Sequence, residues 1–227
     1  MLTVQIDPSI TSVIPTFKLG LISYHSIVIS DSPQMLKGRL QFFQEILQME
    51  LDEKELTEFH GVKEWREAFK TLKIDPSKYR PSHEALLRRI KKGNFLPSLQ
   101  SAVDLNTFFS LQYQVPFGIY DRTKLKGDLS VKLGQEGDGY EGMNGRYNDM
   151  KGKLITTDQL GPFGSPIVDS KRTSVSELTT SAIQLIYLKP SMEVAEAEQL
   201  VQAVALMFTQ VHGGEVLQAS VINSLNS

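Results

Sequence analysis

VDLNTFFSLQYQVPFGIYD, residues 103–121, changes its periodicity half-way along. Ala102, Leu105 and Phe109 recur on one side of a helix that we place over Leu99–Gln112, opened by Leu96-Pro97. Pro116 cannot continue that helix, and Ile119–Tyr120 beyond it reads as a strand. Asp104 and Asn106 interrupt the apolar helix, and Asp121 ends the strand-like run. Polar groups placed inside a protein need partners. These three could be tied into a network joining helix to strand, or could face a bound ligand.

Upstream of this switch the spacing is helical. Leu36, Leu40, Phe43 and Leu47 form one face, with Ser32 as the expected N-cap, Pro33 at the first helical position and the charges of Asp52-Glu53-Lys54-Glu55 at the end. Val62, Trp65, Phe69 and Leu72 form a second face, on which the single tryptophan is expected to anchor the core. A third helix follows Tyr79-Arg80-Pro81. Ser82 is its expected cap, Ala85, Leu86 and Ile90 its inward side, and Glu84 and the cations near Gly93 match its dipole. Residues 15–30, PTFKLGLISYHSIVIS, read as one or two strands.

Downstream the pattern is short and alternating. We expect strands at Asp128–Leu133, Leu154–Thr157, Ile167–Asp169 and Ile183–Leu188, with the glycine-rich residues 137–152 as a hairpin loop. A last helix begins after Pro190-Ser191, carries Val194, Ala197, Val201, Val204 and Phe208 on one face, and stops at Gly213-Gly214 before a closing strand. The order predicts one α+β domain over residues 1–227. Its helices pack on one face of a mostly antiparallel sheet or partly closed barrel.

Composition narrows the chemistry. The chain has no cysteine, which removes disulfides, thiol nucleophiles and thiolate metal sites and fits a reducing, cytosolic setting. None of the four histidines has the spacing of a helical metal pair, no GxSxG elbow is present, and we expect neither metal nor cofactor. Gly137-Asp138-Gly139-Tyr140-Glu141-Gly142 matches GxGxxG formally, but no helix follows and its carboxylates would repel phosphate. No apolar run is long enough to span a membrane. The net charge of −2 offers no general attraction to DNA or RNA. Lys78, Arg80, Arg88, Arg89, Lys91 and Lys92 form the one concentrated basic patch, beside Tyr79. It is either a solvated, dipole-matched helix end or a phosphate-contacting surface with a stacking ring.

Tyr79-Arg80-Pro81-Ser82 with Glu84-Ala85-Leu86-Leu87-Arg88-Arg89, then Leu96-Pro97, Val103-Asp104, Asn106, Pro116, Gly118, Tyr120-Asp121 and Gly127 resemble the free-standing B3/B4 domain proteins. These are relatives of the B3/B4 region of the phenylalanyl-tRNA synthetase β subunit. Ser170, Arg172-Thr173, Val175 and Thr179-Thr180 continue the similarity, which covers roughly Trp65 to Pro190. In the synthetase this module hydrolyses tyrosine wrongly attached to the tRNA for phenylalanine, using a positioned water and a polarised ester carbonyl. The resemblance therefore implies tRNA or aminoacyl-tRNA as partner and a pocket near Asn106, Gly118, Asp121, Asp169, Arg172 and Thr173. Two departures stand out. Gly118 replaces the synthetase's histidine, and no carboxylate stands at Lys171, near which its tyrosine-reading glutamate aligns, although Asp169 is close by. The two expected functions are a trans-acting deacylase of mischarged tRNA and a non-catalytic module binding RNA, an amino-acid-like ligand or a protein. A pocket filled by the protein's own side chains favours the second.

Overall fold

Ser181-Ala182-Ile183-Gln184-Leu185-Ile186-Tyr187 has apolar residues on both faces and lies at the middle of the molecule. In the computed structural model, which describes residues 2–224, this strand, β9 (Ser181–Tyr187), pairs antiparallel with β2 (Lys18–His25) and β3 (Phe117–Asp121). Strand β10 (Glu215–Asn223) adds beyond β2, giving the order β10-β2-β9-β3. One face of this sheet carries helices α5 (Ser101–Tyr113) and α6 (Val194–His212). Gly20 lets α6 approach closely, since a Cβ there would lie 2.8 Å from Val201 Cγ2, and Tyr24 of the same face stacks on Phe208 at 4.2 Å.

The opposite face meets a second sheet. It runs in the order β1 (Val4–Ile6), β4 (Leu129–Leu133), β7 (Leu154–Asp158), β8 (Gly161–Gly164), antiparallel except for the parallel β1–β4 pair. The Thr156 and Tyr187 hydroxyls hydrogen-bond across the gap at 2.7 Å, and Tyr120 sets its ring edge-on to Phe163 at 4.9 Å. The sheets stay open and antiparallel-dominated, with no closed barrel among the described residues. This is the expected α+β architecture. Helices α2 (Gln34–Glu53), α3 (His60–Thr71) and α4 (Ser82–Lys91) complete the helical half, while α1 (Pro8–Thr11) and the hairpin β5 (Gly139–Glu141)–β6 (Tyr147–Asp149) are short additions.

Trp65 is fully buried between Phe69 and Tyr187, ring centroids at 5.8 and 6.3 Å, as a core anchor. Several local expectations need correcting. Ser32 does not cap α2; its hydroxyl donates to Asp104 at 2.6 Å instead, because that buried carboxylate needs donors. Ser82 lies inside α4, and Pro81 takes the cap position without a side-chain bond. The inward side of α4 is Leu87 and Ile90 with His83 and Glu84, whereas Ala85 is exposed and Leu86 half-buried. The inward stripe is thus shifted from the one expected, because Arg66 and Arg88 neutralise Glu84 and allow it inside (2.9 and 2.8 Å). Ile167–Asp169 is a loop, its backbone held by Ser165 Oγ, which accepts from Ile167 and Val168 N–H at 3.1 and 2.9 Å. Helix α5 ends at Gln114, in the left-handed region at φ 54°, before the chain turns into β3.

Candidate functional site

The space between the two sheets at Gly118 and Gly164 is occupied by one phenol. A Cβ on Gly118 would come within 2.5 Å of Tyr120 Cζ, and one on Gly164 within 2.8 Å of the same atom. The ring therefore lies clamped between two glycine backbones, and its hydroxyl donates to Asp169 Oδ1 at 2.6 Å. Nearby, Tyr140 donates to the Val168 carbonyl at 2.7 Å. Desolvation pushes the Asp169 carboxyl up to about 7, although hydrogen bonds from Tyr120 and the Ser165 N–H favour its charged form. Burial, and next the charge of Asp169, hold the Tyr120 phenol well above its ordinary range. A carboxyl poised near neutrality beside a buried phenol can accept or release a proton, but only where Tyr120 yields its place.

The other expected pocket residues lie elsewhere. Asn106 Oδ1 accepts from Gln184 Nε2 at 2.8 Å, and Gln184 Oε1 from Tyr24 at 2.7 Å, on the helix-covered face of the sheet. Asp121 accepts from Thr123 N–H, Thr123 Oγ1 and Thr179 Oγ1 at 2.9, 2.6 and 2.7 Å. Burial alone would raise its pKa, but these bonds and Lys124 bring it below the usual carboxylate value. Arg172 and Thr173 sit in a 3-10 turn, Lys171–Thr173, in which Thr173 is fully buried. Of the six, Gly118 and Asp169 meet through Tyr120, while Asn106 and Asp121 are satisfied in separate internal networks. Tyr120, Tyr187, Thr156 and Gln184 complete these networks and were not among the expected pocket residues. Gln184 alone had a readable signal in the sequence, as the polar residue within an apolar strand.

Arg172 is tied down as a structural brace. Its guanidinium forks onto both Asp158 oxygens at 3.1 and 2.8 Å and also reaches the Lys124 and Gly161 carbonyls, both at 3.2 Å. Arg172→Lys keeps the charge but loses the fork, and is expected to cost about 1–2 kcal/mol in urea unfolding. An unchanged midpoint would show that the brace is dispensable. Beside it opens a groove of about 480 Å³, walled by Tyr140, Glu141, Ser170, Lys171 and Arg172.

The basic residues separate into two groups. At the approach to α4, Lys78 and Lys153 place their ammonium groups 5.2 and 4.4 Å from the Tyr79 ring, with Arg80 exposed alongside. The Ser82 N–H donates to the Pro166 carbonyl at 2.7 Å, fastening this end to the loop that carries Asp169. At the far end, about 15 Å away by helical rise, Arg89 and Lys92 are exposed. Arg88 is engaged by Glu84 at 2.8 Å and Lys91 by Glu55 at 3.3 Å.

Residues 64–203 match the family model described as "B3/4 domain". The chain belongs to the B3/4 domain family. This B3/4 chain is 32% identical over 213 residues to the uncharacterized protein YhzB of Bacillus subtilis (strain 168), covering 94% of itself and 96% of that protein. It is 27% identical over 108 residues to the phenylalanine–tRNA ligase beta subunit of Paramagnetospirillum magneticum (strain ATCC 700264 / AMB-1), matching 46% of this chain but 14% of the ligase subunit. Its fold is similar, at a TM-score of 0.48 and 11% identity, to an N-terminal fragment of the phenylalanyl-tRNA synthetase beta subunit from Pyrococcus horikoshii; the match covers 95% of this chain and 50% of the fragment. No helix of this B3/4 domain, among the described residues, is long and apolar enough to cross a membrane.

Proposed function

We propose that this B3/4 domain is an RNA-binding module that holds tRNA without hydrolysing its aminoacyl ester. The observation that carries the reading is the Tyr120 phenol filling the interval between Gly118, Gly164 and Asp169, inside the residue set that the resemblance marks as the amino-acid pocket. Lys78, Arg80, Arg89 and Lys92 make no ion pair with a carboxylate among the described residues, so they are open to phosphates. The net charge of −2 confines the attraction to that surface. Arg80→Ala, Arg89→Ala and Lys92→Ala combined are expected to weaken binding to unfractionated tRNA about tenfold or more. The slope of log affinity against log salt should flatten by about 2–3. Filter binding across a salt series reads both, and tRNA binding that the triple variant leaves intact would sink the reading.

One observation favours a second reading, the trans-acting deacylase. Asp169 titrates near neutrality next to a groove, so displacement of Tyr120 would present a general base to a bound ester. A panel of mischarged tRNAs separates the two. We expect no release above buffer; release that Asp169→Asn abolishes would establish hydrolysis instead.

A further inference from the structure

Helix α2 buries Leu36, Leu40, Leu47 and Leu51 against the rest of the domain. The side turned directly away from that core is also apolar. Met35, Phe42, Ile46 and Met49 are 77%, 62%, 44% and 71% exposed. At 100° per residue these four fall within a stripe about 60° wide, opposite the buried leucines. Scattered surface hydrophobics are ordinary, but four in one helical row, spaced seven, four and three, form a seam that suits another helix.

Two further features specify the occupant. Gly38 borders this stripe with nothing within 4 Å of where its Cβ would be. Glycine inside an exposed helix costs roughly 1 kcal/mol relative to alanine, and none of the described residues uses the space it leaves. The charges are also divided along the axis. Lys37 and Arg39 lie in the first half of α2, and Glu45, Glu50, Asp52 and Glu53 in the second. Arg39 stacks over the Phe108 ring at 5.2 Å and makes no ion pair with a carboxylate among the described residues.

From these observations we infer that α2 is a self-association surface on which a second copy of this chain docks its own α2, antiparallel, about a twofold axis at Phe42. Antiparallel pairing sets the basic half of one helix against the acidic half of the other and opposes the two helix dipoles; parallel pairing would align like charges. In the register centred on Phe42 the two Phe42 rings meet on the axis. Met35 faces Met49 of the second copy, and Ile46 lies level with the notch at its Gly38. One contact patch thus serves both copies, as a twofold interface requires. A helix of 20 residues offers a seam about 30 Å long and 10 Å wide on each copy. At about 600 Å² over the two copies this is below the size of stable interfaces, so the dimer is expected to be weak, concentration-dependent and reversible.

Sedimentation velocity on the full chain, from low micromolar to several hundred micromolar, tests the inference. The wild-type protein should shift from monomer to dimer. Phe42→Glu should weaken dimerisation at least about tenfold, since two buried rings are lost and two charges meet on the axis. That side chain faces solvent in the monomer, so the variant should unfold at the same urea midpoint as wild type. Arg39→Glu should weaken the dimer several-fold, because it places an acidic group against the acidic half of the second helix. A wild-type protein that stays monomeric throughout overturns the inference, as does a Phe42→Glu variant that dimerises like wild type. So does a protein that remains monomeric but floats with phosphatidylcholine vesicles through the same face.

Discussion

Replacing Gly118 by alanine is expected to lower the unfolding free energy by about 3 kcal/mol or more, at the upper end of what a single added methyl does in a packed core. The new Cβ would come within 2.5 Å of Tyr120 Cζ, and the phenol cannot retreat, because Gly164 holds the same atom at 2.8 Å from its own Cβ position and Phe163 meets the ring edge-on at 4.9 Å. Either the strand bends or the ring leaves, and if the ring leaves, Asp169 loses its phenolic donor. The check is a double-mutant cycle read by urea unfolding. Tyr120→Leu alone should destabilise by about 2–4 kcal/mol through the lost ring. Combined with Gly118→Ala it should cost clearly less than the sum, because the added methyl enters the space the ring gave up. Additive costs would mean that the glycine is not there to admit the ring.

Asparagine at position 169 is expected to leave stability unchanged near about pH 3 and to raise it by about 2–4 kcal/mol near about pH 8. The folded-state pKa of this carboxyl is raised by desolvation from 3.8 to about 7. Between those values the native protein holds a proton that the unfolded chain has released, so stability falls as pH rises through the window and the loss is complete above about 7. The amide stays neutral throughout and can still accept from Tyr120. His83 acts in the opposite sense. Burial lowers it from 6.5 to about 3, so over that range the unfolded chain binds the extra proton and stability rises with pH. The two slopes oppose each other where they overlap, which makes the difference between Asp169→Asn and wild type the informative quantity. Urea midpoints at several pH values measure it; parallel curves for the two proteins would refute a raised Asp169.

The helices were legible wherever a single apolar face meets the core. Leu36 to Leu47 located α2, Val62 to Leu72 located α3, and the row from Val194 to Phe208 located α6. Strand β9 could be read because both its faces are buried. Buried charge defeated the pattern at α4, where Glu84 lies inside only because Arg66 arrives from another helix. The candidate site was legible as a set of residue types and not as an arrangement. Periodicity cannot say that Asn106, on α5, meets one face of the central sheet while Gly118 lies on the other. Nor can it say that Tyr120 would reach between two glycines far apart in sequence. The outward stripe on α2 was equally hidden, since nothing in spacing alone tells an inward apolar row from an outward one.

Strand β10, at the margin of the central sheet, pairs with β2, and Gln218 within it accepts from the Leu2 N–H at 3.1 Å across 216 residues. Nearly the whole domain must therefore be synthesised before β2 gains its second neighbour. Until then β2 is an uncovered edge of Leu19, Leu21 and Ile22, able to pair with any extended chain nearby. A protein shortened before Glu215 should for that reason accumulate as aggregate even though its helices are intact, and the same vulnerability exists briefly in every newly made copy.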